Sequence, residues 1–144
     1  MKEITTFLMF TREHHGKAKD AISFYVSLFA NSSIGHIDCY RAGESDPEGT
    51  VKVATFTLNG QRFMAMDSAA SHAFTFTPAM SLFIECESTE EIGNLYNALS
   101  NSGQVLMPLD DYGFSKQFGW VNDRFGVSWQ LNLPAQQSIQ PDRA

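Results

Sequence analysis

The chain runs through one order of elements twice. "ITTFLMF" (4–10) is a short, Thr-rich apolar run that predicts a strand, and "KDAISFYVSLFANS" (19–32) carries Ala21, Ile22, Tyr25, Leu28 and Phe29 at helical spacing. Three further runs, 33–42, 49–60 and 61–68, alternate or are β-branched, and Asn59-Gly60 is a tight-hairpin signal between the last two. The second half repeats the order: "MSLFIECE" (80–87) as a strand, "STEEIGNLYNALSNSG" (88–103) as a helix, then "QVLMPLDD", "SKQFGWVN" and "GVSWQLNL" as strands. Ser88 and Glu91 have the spacing of a capping box. A shift of seventy positions lays Ile22 on Ile92, Phe29 on Leu99 and Asn31-Ser32 on Asn101-Ser102, which points to an internal duplication. The expected fold is therefore α+β: two βαβββ modules, 4–68 and 80–133, within a single domain over 1–134. A linker (69–79) containing Pro78 joins them, and a polar tail (135–144) is expected to be loosely held.

Composition narrows the partners. A length of 144 residues with 43% hydrophobic and 18% charged residues suits one soluble globular domain. The net charge of −6 opposes a nucleic-acid backbone or an anionic membrane as the main partner, leaving a small molecule or another protein chain. The opening "MKEITTFLMF" is too short an apolar run for a signal-peptide core or a membrane span. Cys39 and Cys86 form no CxxC pair, and a reducing cytoplasm is the expected location.

The twice-repeated unit, with "AISFYVSLF" after the first strand and "FGWVNDRFGVSWQLN" (118–132) at the end, resembles the vicinal oxygen chelate superfamily of glyoxalases, bleomycin resistance proteins and dioxygenases. Within it the resemblance is to the PhnB-like branch, over about residues 4 to 133. It implies a curved, incompletely closed mixed sheet with helices on its outer face, a cup on its inner face, and a homodimer. It also implies, for the enzymes of the superfamily, one divalent metal held by residues of the first and last strands of each half. Such a metal, with open positions, polarises a substrate's oxygens as a Lewis acid.

The ligand positions implied by that resemblance can be followed through this sequence. In metal-dependent relatives a Glu stands four residues after the Gly of an Asp-x-x-Gly turn; here the turn is Asp123-Arg124-Phe125-Gly126, and the position holds Gln130. Alternation sets Ser128, Gln130 and Asn132 on one face and Val127, Trp129 and Leu131 on the other. Matching Gly60 to Gly126 brings Met64 opposite Gln130, with Met66 on the same face. Neither thioether suits a hard divalent ion. The fifth strand offers Ser81, with Phe83 and Glu85 on its face, and the first offers Thr6 or Phe7. No metal set can be assembled, so no metal and no cofactor are expected. The expected ligand-contacting residues are Phe7, Met9, Met64, Met66, Ser81, Phe83, Trp120 and Gln130.

Plainer roles stand beside these. Gln130 either satisfies a backbone group at a sheet edge or meets a ligand. The methionines serve as core packing or as an adaptable apolar surface. Glu13-His14-His15-Gly16 reads as a solvated loop, His36 and His72 have no partner in sequence, and Asp123 and Gly126 have turn roles. Trp120 and Trp129 fall on opposite faces, one in the core and one on the cavity wall.

Three functions follow. The first is a small-molecule binding protein using an apolar cup with Gln130 and Ser81 as polar handles. The second is a metal-dependent enzyme of the glyoxalase or dioxygenase type, with non-standard ligands such as Glu85 and His36 or ligands from a partner chain. The third is the ubiquinone-pathway methyltransferase label attached to this branch. That activity needs an S-adenosylmethionine site, usually built on a Gly-rich strand-to-helix turn, and none of the ten glycines forms a GxG.

Overall fold

A computed structural model describes residues 1–135. The elements follow in the order β1 (Thr6–Phe10), α1 (Ala18–Leu28), β2 (Ser33–Cys39), β3 (Val51–Leu58), β4 (Gln61–Asp67), β5 (Leu82–Glu85), α2 (Thr89–Ser100), β6 (Gln104–Asp110), β7 (Gln117–Asn122) and β8 (Ser128–Leu133). The strands make two four-stranded mixed sheets, neither of them closed. The chain divides into two compact units, Met1–Phe76 and the part from Thr77 onward, with one βαβββ module in each. The tail over 135–144 lies, beyond Ala135, outside the described residues.

In the N-terminal module the sheet order is β1-β4-β3-β2, with β1 parallel to β4 and the other pairs antiparallel. The helix α1 buries Ala18, Ala21, Ile22 and Tyr25, and the sheet contributes Leu8, Phe10, Ala54, Phe56, Phe63 and Ala65 to the same core. Phe56 and Phe63 stack across β3 and β4 with centroids 5.4 Å apart. Between these strands Asn59 and Gly60 both take positive φ, 50° and 80°, as the tight hairpin requires.

Asp67, at the end of β4, is only 1% exposed. One carboxylate oxygen accepts the N–H groups of Gly16 (2.9 Å) and Ala18 (3.2 Å), and the other accepts that of Val51 (2.8 Å). These three backbone donors satisfy the buried carboxylate, which ties the start of α1 to the sheet.

The Glu13-His14-His15-Gly16 stretch is solvated at its ends, where Glu13 and Gly16 are exposed, but not at its two histidines. Arg12–His14 form a 3-10 turn, His14 lies 6.3 Å from the Phe76 ring, and both histidines are half-buried. The reason is the first part of the linker, which folds back over this turn. Thr11 donates to the Phe74 carbonyl (2.8 Å), Arg12 to that of His72 (2.9 Å), and Phe76 packs edge-on to Phe10. His72, without a partner in sequence, shares a 2.8 Å hydrogen bond with Ser68.

In the C-terminal module the order is β5-β8-β7-β6, with β5 parallel to β8. Ile92, Leu95 and Leu99 of α2 are buried with Val121, Trp129 and Leu131 of the sheet. A Cβ on Gly119 would meet the Tyr96 ring at 3.0 Å, so the missing side chain is what lets that ring sit on β7. The predicted cap is present in part: Ser88 Oγ accepts from Glu91 N at 3.0 Å, while the Glu91 carboxylate accepts from Glu87 N (2.8 Å) rather than from Ser88. Among the described residues no helix is long and apolar enough to cross a membrane.

Candidate functional site

Each module buries one sheet face against its helix and leaves the other without one. In the C-terminal module the strand registers lay the residues of that second face in rows. Phe83 of β5, Gln130 of β8, Trp120 of β7 and Met107 of β6 are successive partners. The next row is Glu85, Asn132, Phe118 and Asp110. On the other side, Ser128 pairs with Asn122 and Asn122 with Gln104, and Ser81 Oγ lies 3.0 Å from Ser128 Oγ. Of the three residues on that face of β5, Phe83 lies directly beside Gln130, while Ser81 lies near Ser128 and Glu85 beside Asn132.

Most polar groups on this face are committed to one another. Trp120 donates its indole N–H to Ser128 Oγ at 2.8 Å, which fixes the ring in the middle row. Asn132 donates to Glu85 Oε1 (2.6 Å) and accepts from the Ser115 hydroxyl, so its amide has one orientation. Two groups stand apart, Asn122 Oδ1 and the Gln130 amide. Half-buried on an interior strand, Gln130 makes no side-chain hydrogen bond among the described residues, so it serves no backbone group at a sheet edge. An amide with two donors and an acceptor thus stands unused between two aromatic side chains.

The face is continued by a cluster beyond β6. Tyr112 and Phe114 stack at 6.2 Å, and Phe114 meets Phe118 edge-on at 5.2 Å. Phe114 is 61% exposed and Phe83 56% exposed, high values for phenylalanine on a folded domain.

The N-terminal module has an apolar version of the same face. Phe7 pairs with Met64, Met64 with Thr55 and Thr55 with His36, while Met9 pairs with Met66. Phe7 is half-exposed and the methionines are partly so, which settles the first-strand phase: Phe7 lies on this face and Thr6 opposite buried Phe63. The eight residues expected to contact a ligand therefore fall into two groups of four, Phe7, Met9, Met64 and Met66 in one unit and Ser81, Phe83, Trp120 and Gln130 in the other.

A ring and three thioethers in the first unit, and two rings, a hydroxyl and an amide in the second, are each a poor donor set for a divalent cation, which wants imidazole, carboxylate or thiolate. Among the described residues no three His, Cys, Asp or Glu side chains lie together as a metal-holding group. Glu85, one row from Gln130, already accepts from Asn132. The S-adenosylmethionine that methyl transfer would use does not fit the usual strand-to-helix site either. Asp67 already accepts from Ala18 at the start of α1 and from Gly16 just before it, while Ser88 Oγ caps the first turn of α2 through Glu91 N. Cys86 supplies no nucleophile: it is buried, and burial, with Glu91 and Glu85 nearby, pushes its thiol up to about 12.

Two open βαβββ modules, each with its helix on one face and ligand-position residues on the other, define a protein of the vicinal oxygen chelate class, PhnB-like branch. The chain belongs to the family described as 3-demethylubiquinone-9 3-methyltransferase, whose model matches residues 2–132. It is similar to the PhnB protein from Bacillus cereus, with 55% identity, 92% of this chain and 99% of that one covered, and a TM-score of 0.87. It is also similar to protein YjdN of Escherichia coli (strain K12), 24% identical over 139 residues, covering 87% of this chain and 93% of that protein. A glyoxylase/bleomycin resistance protein/dioxygenase domain from Frankia shares the fold at 11% identity, 96% coverage of both chains and a TM-score of 0.60.

The sequence places Gln130, Trp120 and Phe83 among the expected ligand-contacting residues and gives no signal for Asp67, Ser115, Phe118 or Asp110. The spacing of Asp67 matches no turn motif. Phe118 and Asp110 lie beyond irregular pairing between β6 and β7, which periodicity along one strand does not reveal.

Proposed function

We propose that this protein binds a small, largely apolar ligand on the helix-free face of its sheet, without a metal, using Gln130 as the polar handle. The observation that carries this reading is the row Phe83–Gln130–Trp120, in which an amide with no side-chain partner stands between aromatic side chains. Buried or half-buried amides are normally hydrogen-bonded, and one left open on an apolar face is suited to a ligand's polar group. The methionines Met64 and Met66, with Phe7 and Met9, supply an adaptable apolar surface of the same kind. Methyl transfer, which the family description names, is not supported by the helix starts of this chain. We further propose a homodimer in the cytoplasm. Two edge strands remain in each sheet, β1 and β2 in one and β5 and β6 in the other, and a second copy can cover such edges. Both cysteines are free, as suits a reducing compartment.

The test combines metal analysis of the purified protein with a thermal-shift screen of small aromatic and aliphatic compounds. Stabilisation by apolar compounds, lost in Gln130→Ala and Trp120→Ala, supports the reading. One tightly held metal per chain, with no stabilisation by any apolar compound, would overturn it.

A further inference from the structure

The charge pattern of the C-terminal face says more about its ligand than its apolarity does. The middle row, Phe83, Gln130, Trp120 and Met107, is uncharged, and the row beside it carries a carboxylate at each end, Glu85 and Asp110, with Asn132 and Phe118 between them. The row on the other side, Ser128, Asn122 and Gln104 with Ser81, is neutral. No Lys, Arg or His stands in any of the three rows.

The unused hydrogen-bonding capacity leans the same way. Glu85 gives one oxygen to Asn132, and Asp110 gives one to the N–H of Asp111 (2.7 Å), so each carboxylate keeps a second oxygen. The Asn122 Oδ1 atom is shielded from solvent and has no hydrogen-bond partner. The indole N–H of Trp120 is taken by Ser128. Both charges in these rows are negative. Aromatic faces carry negative potential too, so Phe83 and Trp120 favour a cation held over them. Any carboxylate or phosphate ligand would meet repulsion from Glu85.

Resting on the binding reading above, we propose that the ligand is an organic cation, an amine or quaternary ammonium attached to a flat apolar body. The body lies on the Phe83–Gln130–Trp120 row, and the cationic group is directed to Glu85. The network Ser115–Asn132–Glu85 holds that carboxylate in place, because an amide that accepts from a hydroxyl must turn its N–H groups toward the acid.

The experiment uses three probes of one shape, 2-naphthylmethylammonium, 2-naphthylmethanol and 2-naphthoate, titrated into the full chain and followed by tryptophan fluorescence. The ammonium should bind about tenfold more tightly than the alcohol, and the carboxylate more weakly than either. In Glu85→Gln, whose amide oxygen still accepts from Asn132, the preference for ammonium over alcohol should collapse to within about threefold. Glu44→Gln removes a charge of the same sign in the other module and should leave the preference intact. Equal binding of ammonium and alcohol, or an equal loss in both variants, overturns the cation assignment while the apolar-ligand reading stands. Absence of binding by all three at millimolar concentration overturns both.

Discussion

Trp129 donates its indole N–H to Asp123 Oδ2 at 2.8 Å, with both side chains buried in the C-terminal module. The other oxygen of that carboxylate accepts the N–H groups of Phe125 (2.8 Å) and Val127 (3.1 Å). One aspartate therefore closes the Asp123–Gly126 turn and anchors the strand that follows it. Because Trp129 points to the helix side, its neighbour Gln130 must point to the other, so the ligand-side amide depends on this anchor.

Trp129→Ala should cost about 3–5 kcal/mol of stability, the usual range for a large buried aromatic. Trp129→Phe keeps most of the ring but takes the indole donor from Asp123, and should cost about 1–3 kcal/mol. Urea unfolding of both variants measures this. A loss below about 1 kcal/mol for Trp129→Ala would place that side chain at the surface and reverse the face assigned to Gln130.

Cys86 gives the chain a pH dependence on the alkaline side. Its thiol stands at about 12 in the folded chain against an ordinary value of 9.0, so between these values the unfolded chain has lost a proton that the folded chain retains. The stability this contributes is complete below about pH 9 and is lost as pH rises toward 12. Wild type should lose more stability than Cys86→Ala between pH 8 and pH 10, in matched denaturant titrations. In native protein at pH 8, a thiol reagent should label Cys39, which is half-exposed, well before Cys86. Equal pH slopes, or rapid labelling of both cysteines, would contradict the buried, protonated thiol.

Light scattering at high micromolar concentration should give twice the mass of the 16.0 kDa chain. The physical ground is the pair of open edges in each sheet, which a folded protein must blunt or cover. A clean monomer at that concentration would remove the dimer.

The fold was legible because the signals were local and repeated. Asn59-Gly60, the Ser88 cap and the alternation Val127–Leu133 each predict an element from a few neighbouring residues, and the duplication supplies each module with a check on the other. The site was less so. That Phe83 rather than Ser81 or Glu85 lies directly beside Gln130 is not legible, because the parallel pairing of β5 with β8 is reached only through α2, β6 and β7, and sequence spacing carries no register for such a connection. Asp67 escaped notice for a related reason: its partners, Gly16, Ala18 and Val51, are far away in sequence and offer only backbone N–H groups, which leave no mark on residue type. The partial burial of His14 and His15 leaves no local mark, because the segment that folds back there, Phe74 to Phe76, comes from the linker some sixty residues later.

Gln130→Glu should not create a tight metal site, and wild type should bind Zn²⁺, Ni²⁺ or Mn²⁺ no better than an ordinary protein surface does. A useful site needs about three good protein ligands. The substitution supplies one carboxylate, and its partners across the strands are Phe83 and Trp120. Glu85, one row away, adds a like charge rather than a cation, and its Oε1 is held by Asn132. Half-buried between aromatic rings and near another acid, the new carboxyl should have a raised pKa, since both burial and the like charge disfavour its anion. The variant should therefore be less stable than wild type at neutral pH and recover part of the difference as pH falls, because its folded form then takes up the proton that it favours. Calorimetric titration of both proteins with each metal, and unfolding of both at pH 5 and pH 7, measure these effects. One-to-one micromolar binding of a metal by wild type would mean that the metal ligands lie at positions other than Thr6 or Phe7, Met64, Ser81 and Gln130, and would restore the reading as a metal-dependent enzyme.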